Sequence, residues 1–166
     1  MKRVPILFVF LFAILQLHAQ EFTVPKDYKL EVAEDYAQYE QDVVNAIEWV
    51  LNTPVDEQLS KRVKANAFIM KWLTGSPTVK VEIHPEIVSF IDSGHDLMMP
   101  FLGGWTKYCI ETKDYDNKVA GNLAGLEAVM EFYEENDLPK NKKIEDYIKL
   151  HKNDKLKGYI ERRVSQ

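Results

Sequence analysis

A chain of 166 residues with 46% hydrophobic and 28% charged side chains has the size and composition of one ordinary globular domain, which excludes disordered, collagenous and multispanning classes. One cysteine and seven glycines exclude a disulfide scaffold and a glycine-repeat fibre. The formal charge of −5 argues against nucleic acid as a partner, because phosphate binding is driven by concentrated Lys and Arg.

The first element reads as an export signal. Lys2 and Arg3 precede an apolar run from Val4 to Leu17, and Ala19 supplies a small residue at the cleavage point. A membrane span needs about 20 apolar residues, so this shorter run, interrupted by Pro5, reads as a cleaved leader over residues 1–19. Residues 20–166 are then one exported domain, periplasmic or extracellular, and no later run is long enough to predict a transmembrane segment.

From Val32 the apolar positions Tyr36, Tyr39, Val43, Ala46, Ile47 and Val50 step by three and four, which predicts one helix. Its other face holds Glu31, Glu34, Asp35, Glu40, Asp42 and Glu48 without a basic residue between them, and is expected to be exposed and negative. Thr53 and Pro54 predict the start of a second helix with Val55, Leu59, Val63, Ala67, Met70 and Leu73 as its buried stripe. Phe68, Ile69 and Trp72 widen that stripe, and Gly75 is expected to end the helix as a left-handed residue.

Thr78 to Ile83 alternates like a strand but is too short to stand alone, so it reads as an extended connection. Pro85 opens a short helix from Glu86 to Ser93, closed by Gly94. Asp96 then caps a helix carrying Leu97, Phe101, Trp105 and Tyr108. Gly103 and Gly104 cost that helix about 1 kcal/mol each relative to Ala, and a close neighbouring helix is the simplest compensation.

Asp114 or Asp116 starts the next helix, with Val119, Leu123, Leu126, Met130 and Tyr133 as its stripe. Its flat face of Ala120, Gly121, Ala124, Gly125 and Ala128 suits close backbone contact with the Gly103–Gly104 helix. Asn136 to Pro139 breaks it. A last region uses Ile144, Tyr147, Ile148 and His151, then turns at Asn153 with Asp154 as cap before Leu156, Tyr159 and Ile160. The predicted fold is therefore all-α, a single domain of about six helices arranged as antiparallel αα-hairpins.

Charge divides along the chain. Residues 20–139 hold 10 basic and 22 acidic side chains, whereas the segment 140–166 holds 9 basic and 4 acidic. The basic segment is expected on a solvated helix face or docked on the acidic body, with contact to an anionic surface as the alternative.

The densest group of chemistry-bearing residues is His84, Glu86, His95 and Asp96. Such side chains suit ligand binding or acid–base work, but the two-His spacing of a zinc helix is absent, and the positions before Pro85 and at a helix cap explain His84 and Asp96 structurally. No metal and no cofactor are expected. Cys109 follows Trp105 by one turn and reads as a small buried hydrophobe.

Trp72 to Pro77 and Phe101 to Tyr108, followed by the long helix ending near Tyr133, resemble a family of small secreted helical bacterial proteins of unassigned activity. That resemblance brings no catalytic or binding residue with it. Ala128 and Phe132 also have the spacing of a tetratricopeptide second helix, but the residues of the first helix are missing, leaving only a hairpin analogy. The expected role is a non-catalytic module that binds another envelope or secreted protein or supports an assembly. The alternative is a small-ligand or metal-binding protein or a hydrolase, with its pocket around His84, His95, Asp96 and Tyr108.

Overall fold

Helices account for every regular element among the described residues. A computed structural model describes residues 22–93 and 97–165; the expected leader, Gly94, His95 and Asp96 lie outside them. In chain order the elements are α1 (Ala33–Gln38), α2 (Glu40–Asn52), α3 (Leu59–Gly75), a 3-10 turn (Ser89–Ser93), α4 (Met98–Thr112), α5 (Lys118–Glu135), α6 (Lys142–Lys152) and α7 (Leu156–Val164). The fold is all-α, and no helix described is long and apolar enough to cross a membrane. Val43, Phe68, Trp72, Phe101, Leu126, Tyr147 and Ile160 belong to one continuous core reaching from α2 to α7.

The contact between α4 and α5 is the closest, and small residues make it possible. A Cβ added to Gly104 would lie 2.5 Å from the Ala124 carbonyl oxygen and 2.6 Å from the Ala128 Cβ. Gly125 faces Phe101 in the same way, and Gly121 lies directly against the Trp105 ring. Contacts advance along α4 as they recede along α5, so the two helices touch in opposite chain directions. Gly103 serves the other side of α4, facing the Ile47 side chain of α2 at 3.1 Å from an added Cβ. The expected compensation for two mid-helix glycines is thus close packing on two neighbours.

Several local expectations need correction. The first helix is broken at Tyr39, which separates α1 from α2. Its polar face is not a bare acidic surface, because α4 and the residue that caps its end supply cations to it: Lys107 Nζ lies 2.7 Å from Glu48 and Lys113 Nζ 2.6 Å from Glu40. Asp35 instead accepts hydrogen bonds from the backbone N–H groups of Glu31 and Val32 at the start of α1.

α3 begins at Leu59, not in the Thr53–Pro54 turn, with Gln58 in the left-handed region ahead of it. The buried face of α3 also differs. Arg62, Ala65, Phe68, Ile69 and Trp72 point inward, while Leu59, Val63, Ala67 and Met70 are exposed. Gly75 is the last residue of the helix, where a side chain would run into Tyr36, so close approach and not left-handed backbone requires glycine there. The Glu86–Ser93 segment forms the 3-10 turn Ser89–Ser93 after a hydrogen-bonded turn, and no α-helix. Asn117, one residue beyond Asp116, caps α5 by accepting from the Ala120 N–H at 3.0 Å.

Candidate functional site

His84 sits where the extended connection turns at Pro85, and it borders a small cavity. That cavity, about 80 Å³, is also lined by Glu82, Ile83, Lys118, Asn122 and Val164. The Nδ1 of His84 and the Oδ1 of Asn122 are buried there without a hydrogen-bond partner among the described residues, while Lys118 pairs with Glu82 at 2.8 Å. This volume has room for ordered water but is far below the roughly 300 Å³ of the smallest drug-sized ligand sites.

The other candidates do not converge on it. Glu86 turns to Arg163, whose Nε lies 3.0 Å from its carboxylate, and its backbone carbonyl accepts from Tyr147 Oη at 3.1 Å. Tyr108 donates to Asp114 Oδ2 at 2.8 Å, which raises its pKa, and Asn117 Nδ2 donates to the same oxygen. That cluster ties the end of α4 to the start of α5. His95 and Asp96 lie outside the described residues. Cys109 is buried, and burial pushes its thiol pKa up, the direction opposite to an activated nucleophile. Among the described residues no group of three His, Cys, Asp or Glu is placed to hold a metal ion.

A larger feature lies on the opposite choice of α3 face. The segment before α1 runs beside α3 and is held there by aromatic contacts: Tyr28 meets Phe68 edge-on at 4.8 Å between centroids, and Phe22 lies 6.3 Å from Trp49. Cations add to this anchoring, with Lys71 Nζ 4.8 Å from the Tyr28 centroid and Lys61 Nζ 5.9 Å from that of Phe22. Between segment and helix runs a groove of about 890 Å³. Phe22, Val24, Pro25 and Tyr28 line one side, Leu59 and Ala67 the other, and Lys26, Lys61 and Lys64 also border it. Beside it stand Leu59, 60% exposed, and Val63, 68% exposed, on the same helix.

Sequence reasoning missed this groove because α3 carries two apolar stripes and only one can face the core. The aromatic stripe wins, since Phe68 and Trp72 remove more apolar surface from water than Val63 and Ala67 would. Arg62 belongs to the winning stripe, which disguised it. Its two terminal nitrogens donate to the carbonyls of Val50, Thr53 and Pro54 at the end of α2, which offsets their burial, while Nε is buried without a partner among the described residues. The readable signal was the count of apolar residues on α3, more than one helix face can bury.

The basic segment 140–166 forms α6 and α7, which bury Ile144, Tyr147, Leu156 and Ile160. Part of its charge meets α5: Lys152 lies 3.9 Å from Glu134, and His151 faces Glu127 at 3.6 Å. No protein-family model, curated protein or solved structure matches this chain.

Proposed function

We propose that this chain is an exported, non-catalytic protein that acts by docking another polypeptide on the outer face of α3. The exposed stripe of Leu59, Val63, Ala67 and Met70 beside the Phe22–Tyr28 groove carries the reading. Scattered exposed apolar residues need no explanation, but a helical row of them next to an apolar groove marks an interaction surface. A domain gains nothing from leaving such a row in water, where Leu59 and Val63 forgo most of the roughly 1.5–3 kcal/mol that full burial of such a side chain brings.

The alternative of a ligand pocket or hydrolase around His84, Tyr108, His95 and Asp96 has less support. The cavity beside His84 is small, and Tyr108 is engaged with Asp114. The groove on α3 has the volume of a ligand site, yet among the described residues His, Cys, Asp and Glu are missing from its lining, so those residues offer no acid–base pair there.

A photo-crosslinking residue placed at Val63 in the producing cell tests the docking role, with Glu131 on α5 as the control position. A polypeptide adduct at 63 and none at 131 is the expected result. Equal labelling at both positions, or no adduct at either, overturns it. Fractionation of the same cells into cytoplasm, envelope and medium tests the export reading.

A further inference from the structure

We infer that the α3 groove receives an acidic amphipathic helix of a partner protein. This rests on the docking role proposed above and adds the chemistry of the partner. Leu59, Val63, Ala67 and Met70 are spaced by four, four and three residues, so they form one ridge along the helix. At 1.5 Å per residue the ridge is about 16 Å long, enough to meet three turns of a second helix laid beside it. A partner helix of this kind presents anchors at i, i+3 or i+4, and i+7.

Charge decides the sign of the partner. Three lysines, Lys26, Lys61 and Lys64, border the groove, and among the described residues no acidic side chain lines it. Asp27, Asp56 and Glu57 are neighbours in sequence but are not part of the lining. The whole of α3 holds Lys61, Arg62, Lys64 and Lys71 with no acid, although the chain as a whole carries −5. Lys26 and Lys64 form no ion pair among the described residues. An apolar strip flanked by cations in an acidic protein complements an apolar strip flanked by carboxylates.

Two other occupants fit less well. A second copy joined by a two-fold axis would set the same lysines against each other, since such an interface is self-complementary. An acyl chain is best held in an enclosed slot, whereas Val63 at 68% exposure stands out from the surface as a ridge.

The test uses the exported protein and a fluorescent 18-residue model helix with a leucine stripe flanked by glutamates. Twins carrying glutamine or lysine at the flanking positions are measured alongside by anisotropy. Two exposed ion pairs, to Lys26 and Lys64, predict that the glutamate peptide binds about fivefold tighter than the glutamine twin, with the lysine twin weakest. Raising salt from about 0.05 to 0.5 M is expected to erase that difference. The Lys26→Glu/Lys64→Glu double variant should reverse the order of the charged twins. Val63→Asp should abolish binding of all three while its far-UV circular dichroism stays unchanged.

Equal binding of the glutamate and glutamine peptides overturns the acidic partner and leaves the docking surface standing. If no peptide binds, or Val63→Asp binds as well as the parent, the docking surface itself falls and the inference with it. Co-sedimentation with phosphatidylglycerol vesicles that Val63→Asp abolishes would assign the ridge to anionic lipid and also overturn the inference.

Discussion

Gly104 and Ala124 bring the backbones of α4 and α5 together: a Cβ on Gly104 would lie 2.5 Å from the Ala124 carbonyl oxygen. A backbone oxygen in the middle of a buried helix cannot move aside as the tip of a long side chain can. Ala128 blocks the same space at 2.6 Å. Two effects of Gly104→Ala therefore oppose each other. Helix propensity favours Ala by about 1 kcal/mol, and overpacking costs about 1–3 kcal/mol or more. With the clash against backbone, the cost wins, and Gly104→Ala should lose about 2 kcal/mol net. Thermal unfolding followed by circular dichroism checks this, at roughly 2–4 °C per kcal/mol for a chain of this size. An unchanged or raised Tm would show that the two helices can separate freely.

Gly158 is the opposite case. It lies inside α7, where an added Cβ meets only the Arg162 guanidinium, at 3.6 Å. Nothing there opposes the propensity gain. Gly158→Ala should stabilise by up to about 1 kcal/mol and raise Tm. The pair of substitutions, identical in chemistry and opposite in expected sign, separates packing from propensity in one experiment.

Arg62 holds the α2–α3 connection. It is 9% exposed, and its two terminal nitrogens donate to the carbonyls of Val50, Thr53 and Pro54, with the guanidinium also 5.7 Å from the Trp49 ring centroid. Burial lowers its pKa without threatening its charge at any working pH. Arg62→Met fills similar space but leaves those carbonyls unpaired, so it should cost about 2–3 kcal/mol. Arg62→Lys should recover only part of this, because one ammonium cannot replace the fork. Urea denaturation measures both, and equal stability of Met and Arg at this position would remove the capping role.

The helices themselves were legible because their apolar residues recur every three or four positions, and the small-residue contact between α4 and α5 was legible because Gly103 and Gly104 demanded a reason. What misled was local competition. On α3 two stripes satisfied the same period, and only the three-dimensional cost of leaving Phe68 and Trp72 in water chooses between them. Asp114 and Asp116 read as caps in the sequence, and only the loop geometry shows that it is the Asn117 side chain that reaches the Ala120 N–H. For the candidate site, sequence proximity of His84 and Glu86 carried no information about direction. One borders a cavity with Asn122 and the other turns outward to Arg163.

Acid should loosen α1 before the rest. The Asp35 carboxylate accepts from the Glu31 and Val32 N–H groups, and these backbone hydrogen bonds lower its pKa. A carboxyl depressed in the folded state contributes stability above its unfolded pKa, near 3.9, and loses it as pH falls through the folded value. The protection factors of the Tyr36 and Ala37 amides, corrected for the intrinsic pH dependence of exchange, should therefore fall below about pH 4. Asp35→Asn should flatten that dependence, and a profile unchanged by the substitution would separate α1 stability from this carboxylate.

The outer face of α3 should be dispensable for folding although it is apolar. Val63 is 68% exposed and Ile69, on the same helix, is 1% exposed. Val63→Ser removes almost no buried surface, so its effect on stability should stay within about 0.5 kcal/mol. Ile69→Ala opens a core cavity and should cost about 2–5 kcal/mol. Both are read from urea midpoints at constant m, which separates lost stability from a changed denatured state. If Val63→Ser destabilises as much as Ile69→Ala, the Leu59–Met70 row is buried in solution. The groove would then be closed by the chain itself, with no surface left for a partner.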